Sequence, residues 1–474
     1  MKKIDRRFAY LIVFFVIGFF IRFFPVRIGF HYWDECVYLQ HAEIISGFRH
    51  TSLFNEFDIR PPLLPVLLAF GYQAYHSIIT AHFVVSFISS LGILIIFLFA
   101  RELFNEKVGI LSSLIYTFLP LDVALSHDIL VDTLLPVFWM LVFLFCIKTI
   151  KTNKKSFSVL AGIFLGLSFL LKFTSLLLFF FIFLIFYLYQ SKKDRKICQI
   201  LKRTWLIYFT SFLVILPYLA WSFLYFGNPI YPVVMAYKVV NWDTPTSFLI
   251  LYLNFNQLFP LFLLFGIFLL FYLKARGYSM EREEQMLLIT FLIFFLSLHF
   301  ITHKEIRFLL PVLPLITILS SKGFEDFLDF SKRFEKLRAI FYLVIVALLF
   351  LTLCSEFPHI FCNLKNGHFL INEQNELLEA ANWIKNNTPK DTVIYVNTQY
   401  PVIAYFSERK VKVLPFWRSF QENLSEVMGE DGYYILFKEL SQLREPTLKF
   451  VERDARFELI KEIGNKIYIF KYKT

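Results

Sequence analysis

The chain has 474 residues, of which 57% are hydrophobic and only 18% are charged, and it contains 62 Phe and 24 Tyr. A soluble domain carries about 25% charged residues and cannot hide this much apolar side chain in one core. The composition therefore excludes a purely cytosolic enzyme, a disordered chain and a disulfide scaffold, and it predicts an integral membrane protein. The net charge of +11 does not by itself indicate nucleic acid, because the placement of the basic residues matters more than their sum.

Apolar windows long enough to cross a bilayer recur along the chain. A membrane-spanning helix needs about 20 apolar residues, and windows of that size give eleven candidates. They are approximately Phe8–Phe24, Ser77–Ala100, Val108–Ser126, Thr133–Cys146, Phe157–Leu171, Thr174–Gln190, Trp205–Leu224, Phe248–Leu273, Met286–Thr302, Phe308–Ser321 and Ala339–Cys354. No small-residue cleavage site follows the first window, so we interpret it as a retained span, with Arg22 reaching the far interface.

The distribution of Lys and Arg predicts the orientation. With the N-terminus in the cytoplasm, the cytoplasmic segments hold 24 Lys and Arg residues and the opposing loops hold seven. Cytoplasmic loops of membrane proteins carry such an excess of positive charge. The sequence therefore predicts a multi-pass protein of the plasma membrane with a cytoplasmic N-terminus, an odd number of spans and an extracytoplasmic C-terminus.

The chain changes character after the last apolar window. Residues 1–354 are predicted to form the membrane domain, which includes a long first outer loop over residues 25–76. Residues 355–474 alternate strand-type runs with helical patterns, which favours a small extracytoplasmic α/β domain with a largely parallel sheet. The predicted strands are Thr392–Val396, Val411–Leu414, Tyr433–Phe437 and Lys466–Tyr472, and the predicted helices are Glu373–Asn386 and Phe420–Met428.

Charged residues gather in three loops that the predicted orientation puts on the extracytoplasmic side. The loop residues singled out are Asp34, Glu35 and Arg60 in the first loop, Asp132 in the second, and His303, Lys304, Glu305 and Arg307 before the tenth span. Charges at a membrane boundary are costly unless they are paired, hydrated or used. Two interpretations stay open, namely solvated loop charges that form ion pairs, and a functional site at one rim of the membrane domain.

Three further features allow alternatives. Lys172, at the outer end of the fifth span, is either an interfacial anchor or a partner for a phosphate. Gly162 and Gly166 in that span are typical of a close helix–helix contact. Histidines near the carboxylates leave a divalent metal open, although no fixed-spacing pair such as HExxH is present.

The motifs of the three loops resemble those of the GT-C glycosyltransferases of the protein O-mannosyltransferase and aminoarabinose-transferase type (glycosyltransferase family 39). The resemblance rests on the Asp34–Glu35 pair after the first span, the segment 60–63 (Arg-Pro-Pro-Leu), Asp132, Lys172 and the run 303–308 (His-Lys-Glu-Ile-Arg-Phe). It implies a polytopic helical GT-C fold over residues 8–354, followed by the outer α/β domain. In the aminoarabinose-transferase branch a Glu tied to metal precedes the basic residue of the Pro-Pro-Leu segment. Here Ile59 takes that place, which weighs against a metal site of that kind.

The resemblance implies an enzyme that takes a sugar from a polyprenyl-phosphate carrier, either dolichyl or undecaprenyl phosphate. Asp34 would be the catalytic residue and general base for a hydroxyl acceptor, with Glu35 and Asp132 in support and with inversion at the sugar. Arg60, Arg307 and the lysines Lys172 and Lys304 would hold the phosphate, and Arg can do so bidentately. The acceptor could be a protein, a lipid or a glycan, and the transferred group a hexose or a pentose.

A polytopic transporter or lipid flippase is the rival interpretation, and a non-catalytic scaffold is a third. Transporters usually show repeat symmetry and charged positions near the bilayer midplane. In this sequence the charges gather at the ends of the apolar windows instead, which favours the enzyme.

Overall fold

A computed structural model describes most of the chain. The described residues are 6–28, 30, 32–50, 53, 60–189, 197–239, 258–275, 277, 279–298, 300, 304–331, 339, 343, 346–347, 350, 370–372, 376–414, 419–438 and 448–474. The chain divides into two compact units. The helical unit comprises Met1–Pro25, Ile59–Leu64 and His82–Phe369, and the mixed unit comprises Val26–Asp58, Pro65–Ala81 and Leu370–Thr474.

The described residues before residue 332 are mostly helical. Their α-helices are α1 (Arg6–Phe23), α2 (Trp33–Ser46), α3 (Leu63–Tyr72), α4 (Ile78–Leu103), α5 (Glu106–Thr117), α6 (Pro120–Leu125), α7 (Leu135–Thr152), α8 (Lys155–Leu171), α9 (Leu176–Tyr189), α10 (Ile197–Phe226), α11 (Tyr231–Val239), α12 (Leu258–Ala275), α13 (Arg282–Leu298) and α14 (Leu313–Ser331). Three 3₁₀ turns, Val131–Thr133, Phe173–Ser175 and Ile306–Val312, lead into α7, α9 and α14.

Among the described residues, four helical segments are long and apolar enough to cross a membrane. They are Ile78–Leu103, Val131–Thr152, Ile197–Phe226 and Ile306–Ser331, and shorter apolar helices of 10–17 residues accompany them. The protein thus contains transmembrane helices, while the count of eleven spans and the orientation stay predictions. The predicted span Ala339–Cys354 and the first half of Phe248–Leu273 lie almost wholly outside the described residues.

The window Val108–Ser126, predicted as one span, is two helices. The first helix, α5, ends at Thr117, and α6 starts with Pro120 as its first residue. Proline lacks an N–H donor and fixes φ, so it is tolerated in the first turn of a helix and interrupts a helix interior. The prediction of a continuous helix over this window is therefore wrong.

Glycines allow two pairs of helices to approach closely. A Cβ at Gly162 would lie 2.5 Å from the carbonyl oxygen of Ile207, and one at Gly166 would lie 2.7 Å from Cβ of Val214. The helix–helix contact predicted for these glycines is thus the crossing of α8 and α10. A similar contact joins α12 and α14, where a Cβ on Gly323 would collide with the backbone of Gly266.

Arg22 does not reach an interface, contrary to the sequence interpretation. Its side chain is fully buried, and its Nη2 lies 2.8 Å from Oδ2 of Asp122 in α6. Further guanidinium hydrogens are donated to the backbone carbonyls of Tyr116 and Thr117. The hydroxyls of Tyr116 and Ser89 donate to Asp122. The charge stays inside because an internal carboxylate and three backbone carbonyls, the third that of Gly18, replace the water that it would find at the surface.

The mixed unit contains a two-stranded and a five-stranded sheet. Its strands are β1 (Val26–Ile28), β2 (Leu370–Asn372), β3 (Val393–Val396), β4 (Lys410–Val413), β5 (Gly432–Phe437), β6 (Phe457–Ile463) and β7 (Ile467–Tyr472), and its remaining helices are α15 (Glu376–Asn387), α16 (Tyr400–Ser407), α17 (Phe420–Glu426) and α18 (Leu448–Arg453). Strand β1 pairs in parallel with β2, so the segment after α1 joins the C-terminal part of the chain.

The large sheet has the order β4-β3-β5-β7-β6 and is mixed. Strands β4, β3 and β5 run parallel, whereas β5, β7 and β6 run antiparallel. The α/β character predicted for this region is confirmed, but the largely parallel sheet is a wrong prediction. Strand β6 was not predicted, since an irregularity between Leu459 and Lys461 breaks its alternation of polar and apolar residues.

One face of this sheet also packs against the loop after the first span. Val37 of α2 is part of the same buried cluster as Ile394 and Ile435 of the sheet and Ile403 of α16. Helix α2 therefore packs on the α/β region within one compact unit. The division at residue 354 stays a prediction, with residues 26–58 and 65–81 grouped structurally with the C-terminal part.

Candidate active site

Asp34 and Glu35 lie in the first turn of α2 and are both buried. The start of a helix favours negative charge because its first N–H groups have no intrahelical partner. One oxygen of Glu35 accepts the backbone N–H of Tyr32 at 3.1 Å, which caps the helix. Glu35 therefore fixes the turn that presents Asp34, and this contact is what the structure adds to the predicted supporting role of Glu35.

Asp132, Lys172 and Arg307 come together in the helical unit. The Nζ atom of Lys172 lies 2.5 Å from Oδ1 of Asp132, and Nη1 of Arg307 lies 3.9 Å from Oδ2 of the same carboxylate. Asp132 is almost fully buried, while Lys172 and Arg307 retain 21% and 11% exposure. One buried carboxylate thus contacts two cations.

The local backbone explains this arrangement. Each of the three residues belongs to, or directly precedes, one of the 3₁₀ turns that lead into α7, α9 and α14. The turn after Lys172 is held to α7 by Trp139, whose Nε1 donates to the hydroxyl of Ser175 at 3.0 Å. Polar side chains on such turns sit at the ends of apolar helices, where charge is least costly.

Glu305 and Phe308 complete the cluster. Glu305 forms an ion pair with Arg307, and its Oε1 accepts a hydrogen bond from Nη2 at 3.1 Å. The Nζ atom of Lys172 lies 4.5 Å from the centre of the Phe308 ring, and the Arg307 guanidinium carbon lies 5.8 Å from it. An aromatic face attracts cations and excludes water, so Phe308 backs both positive charges. Phe308 belongs to the motif 303–308, but the sequence alone does not indicate this contact.

The other predicted residues are placed as follows. Arg60 is half-buried and lies just before α3, and Lys304 is half-buried beside Glu305. His303 lies outside the described residues. Asp34 and Glu35 belong to the mixed unit, whereas Arg60 and the cluster around Asp132 belong to the helical unit. The predicted convergence of all these residues stays a prediction.

The sequence left a divalent metal open, so we looked for side chains that could bind one in the described part of the chain. There, no group of three or more His, Cys, Asp or Glu side chains is arranged to hold an ion.

Sequence reasoning missed a second polar cluster, in the mixed unit. Glu43 of α2 is buried and is contacted by Arg49, His76 and Tyr405. No motif marks it, because its members are far apart in the chain.

The comparisons with known proteins agree with this fold. Residues 59–221, about a third of the chain, match the family described as dolichyl-phosphate-mannose-protein mannosyltransferase. A search of curated protein sequences finds no match.

Solved structures match nearly the whole chain at low sequence identity. ArnT from Cupriavidus metallidurans in the apo state gives a TM-score of 0.67 at 12% identity, over 98% of this chain and 97% of that one. The same protein bound to undecaprenyl phosphate gives 0.66 at 11% identity over the same shares. The archaeal oligosaccharyltransferase AglB from Archaeoglobus fulgidus, in complex with an inhibitory peptide and a dolichol-phosphate, gives 0.66 at 14% identity, over 92% of this chain and 70% of that one. The resemblance predicted from the motifs is thus confirmed: the chain has the GT-C fold, and residues 59–221 are similar to the dolichyl-phosphate-mannose-protein mannosyltransferases.

Proposed function

We propose that the protein transfers a sugar from a polyprenyl-phosphate donor to a hydroxyl acceptor at the extracytoplasmic face of the cell membrane. The observation that carries the proposal is the cluster in which Lys172 and Arg307 share the buried carboxylate of Asp132. Solved structures of the same fold support the class of donor, because ArnT was solved bound to undecaprenyl phosphate and AglB in complex with a dolichol-phosphate.

The charge of the cluster suits such a donor. Lys172, Lys304 and Arg307 against Asp132 and Glu305 leave one positive charge, and Arg60 adds a second. A polyprenyl-phosphate sugar is a phosphodiester with one negative charge, and its departing polyprenyl phosphate is a monoester that gains further negative charge. Cations already in place therefore stabilise the transition state more than the bound donor, which is what accelerates a reaction.

The proposed reaction is a direct displacement. The acceptor oxygen attacks the anomeric carbon while the bond from that carbon to the phosphate oxygen breaks, and the electron pair of that bond leaves with the polyprenyl phosphate. Asp34 accepts the proton of the acceptor hydroxyl, a contribution of about 10²–10⁴-fold for a well-placed general base. A single displacement inverts the configuration of the sugar.

The remaining residues have supporting roles in this proposal. Glu35 fixes the helix turn that presents Asp34, and Asp132 keeps Lys172 and Arg307 in position until the phosphate arrives. Glu305 orients Arg307. Arg60, Lys304 and His303 complete the polar lining near the phosphate. The proposal requires Asp34 and the cations to act on one donor–acceptor pair.

A direct test is to incubate the purified protein with a panel of polyprenyl-phosphate sugars and a membrane extract. Mass spectrometry of the products then shows whether an acceptor gains a hexose or a pentose. Intact donor moved across a vesicle membrane without any new glycosidic bond would instead favour a flippase. A scaffold would leave both the donor and its location unchanged.

A further inference from the structure

Glu43 lies on the same helix as Asp34, and its carboxylate is almost fully buried. A buried charge is retained when its hydrogen-bonding capacity is met. For Glu43 the contacts come from three other segments of the mixed unit, so the carboxylate ties α2 to its surroundings.

Both carboxylate oxygens are used. Oε2 accepts from Nη2 and Nε of Arg49 at 2.7 and 2.8 Å. Oε1 lies 3.3 Å from Nε2 of His76 and accepts the hydroxyl of Tyr405 at 3.1 Å. Arg49 follows α2, His76 precedes α4, and Tyr405 belongs to α16 of the α/β region. The carboxylate thus contacts three separate segments of the mixed unit.

Aromatic rings pack beside this contact. The ring of Phe48 stacks on His76 with centroids 4.2 Å apart, and Tyr72 meets the same imidazole edge-on at 4.8 Å. On the other side, Phe30 packs against Tyr405 and Phe406. A hydrogen bond to a charged group is stronger where water is excluded.

Tyr405 is the donor that links the α/β region to α2. Burial, followed by the nearby carboxylate of Glu43, raises the pKa of Tyr405 well above its usual value. The phenol therefore keeps its proton and stays a donor at every physiological pH.

We propose that Glu43 and Tyr405 are positioning residues that hold the helix of Asp34 against the C-terminal α/β region. The α/β region then acts in catalysis by orienting the base, in addition to any part in acceptor binding. This inference rests on the proposed role of Asp34, but its structural half is independent of that role.

The kinetic test replaces Tyr405 by Phe, which removes one hydroxyl and no packing. We expect kcat to fall roughly 10- to 100-fold, because small displacements of a catalytic group are costly, with KM for the donor within about twofold. Tyr395→Phe is the matched control, since the Tyr395 hydroxyl donates to the backbone carbonyl of Glu430 in the same unit at 3.0 Å. This control should keep its kcat. A Tyr405→Phe enzyme with unchanged kcat, or with a change in KM alone, would overturn the catalytic half.

A second readout needs no activity. Cys36 lies two residues after Asp34 on α2, and burial, followed by the charges of Glu35 and Asp34, raises the pKa of its thiol. The thiol should therefore resist alkylation in the native protein. We expect Cys36 to be alkylated at least several-fold faster in Glu43→Gln and Tyr405→Phe than in the wild-type protein, and no faster in Tyr395→Phe. Peptide mass spectrometry measures the rate of alkylation. Equal rates of Cys36 alkylation in all four proteins would overturn the proposal that Glu43 and Tyr405 hold α2 against the α/β region. Because the alkylation rate does not depend on catalytic activity, it tests the structural half of the proposal even if no donor proves to be a substrate.

Discussion

Asp132 allows the two cations Lys172 and Arg307 to lie close to each other. Without a bound phosphate, Lys172 and Arg307 would repel each other, and the shared carboxylate offsets that repulsion. In the proposed reaction, phosphate oxygens of the donor compete with Asp132 for Lys172 and Arg307, so that one anion replaces another.

The first prediction concerns Lys172. Replacing it by Ala removes one cation from the phosphate, and we expect kcat/KM to fall about 10²–10³-fold, the usual cost of losing a donor that stabilises developing charge. Lys172→Arg should retain part of the activity because it keeps the charge. Lys151→Ala is the control in the same unit, since Lys151 pairs with Glu102 at a partly exposed position. Steady-state kinetics decide the point, and an active Lys172→Ala enzyme would remove this residue from the site.

The second prediction concerns the internal pair of Arg22 and Asp122. Removing one partner strands a buried charge, so Asp122→Ala should lower stability by about 3–5 kcal/mol. The double replacement Arg22→Met with Asp122→Leu should recover most of that loss, because it leaves no charge to desolvate. Thermal unfolding in detergent measures both effects. A double variant no more stable than Asp122→Ala would show that the pair contributes something besides its own neutralisation.

The sequence indicates which charged residues are unusual, but it does not indicate which side chains contact each other. Asp132, Lys172 and Arg307 are predicted as site residues because charged residues gather at one rim and because their motifs resemble those of the GT-C glycosyltransferases. The sequence could not pair Glu43 with Tyr405, because 361 intervening residues separate them and no spacing rule connects them. Arg22 was misinterpreted for a similar reason, since its partner Asp122 belongs to a different helix.

The elements that carry the cation cluster are 3₁₀ turns at the starts of apolar helices. Hydropathy windows detect the helices that follow but not the turns, since a turn of three to seven residues changes the mean hydropathy little. The windows consequently placed most helix bodies correctly and misjudged the ends, as at α5 and α6. In the mixed unit, alternation revealed β3, β4, β5 and β7, and the irregular β6 escaped.

The third prediction concerns the crossing of α8 and α10. A Cβ at Gly166 would lie within 3.0 Å of both Val214 and the carbonyl oxygen of Ser211. Gly166→Ala should therefore force the helices apart and lower stability by about 1–3 kcal/mol. Gly429→Ala is the control, because nothing lies within 4 Å of a Cβ at that position. Thermal unfolding of the two variants compares the effects, and equal melting temperatures would contradict the close contact.

For the whole molecule, the excess of Lys and Arg on one set of loops predicts which side faces the cytoplasm. Cys198 lies in the basic segment 191–203 and is exposed. A membrane-impermeant maleimide should therefore label Cys198 in inside-out vesicles and not in intact cells, with peptide mass spectrometry identifying the modified site. Labelling in intact cells would reverse the predicted orientation and, with it, the proposed extracytoplasmic reaction.

The most direct test of the account compares the wild-type protein with Asp34→Asn in a single assay. Both are purified, shown to have the same melting temperature, and given a polyprenyl-phosphate sugar together with the acceptor found in the membrane extract. Mass spectrometry and the anomeric coupling of the product should show an inverted glycoside with the wild type and a loss of at least about 10²-fold with Asp34→Asn. Undiminished transfer by Asp34→Asn, or a product with retained configuration, would contradict it.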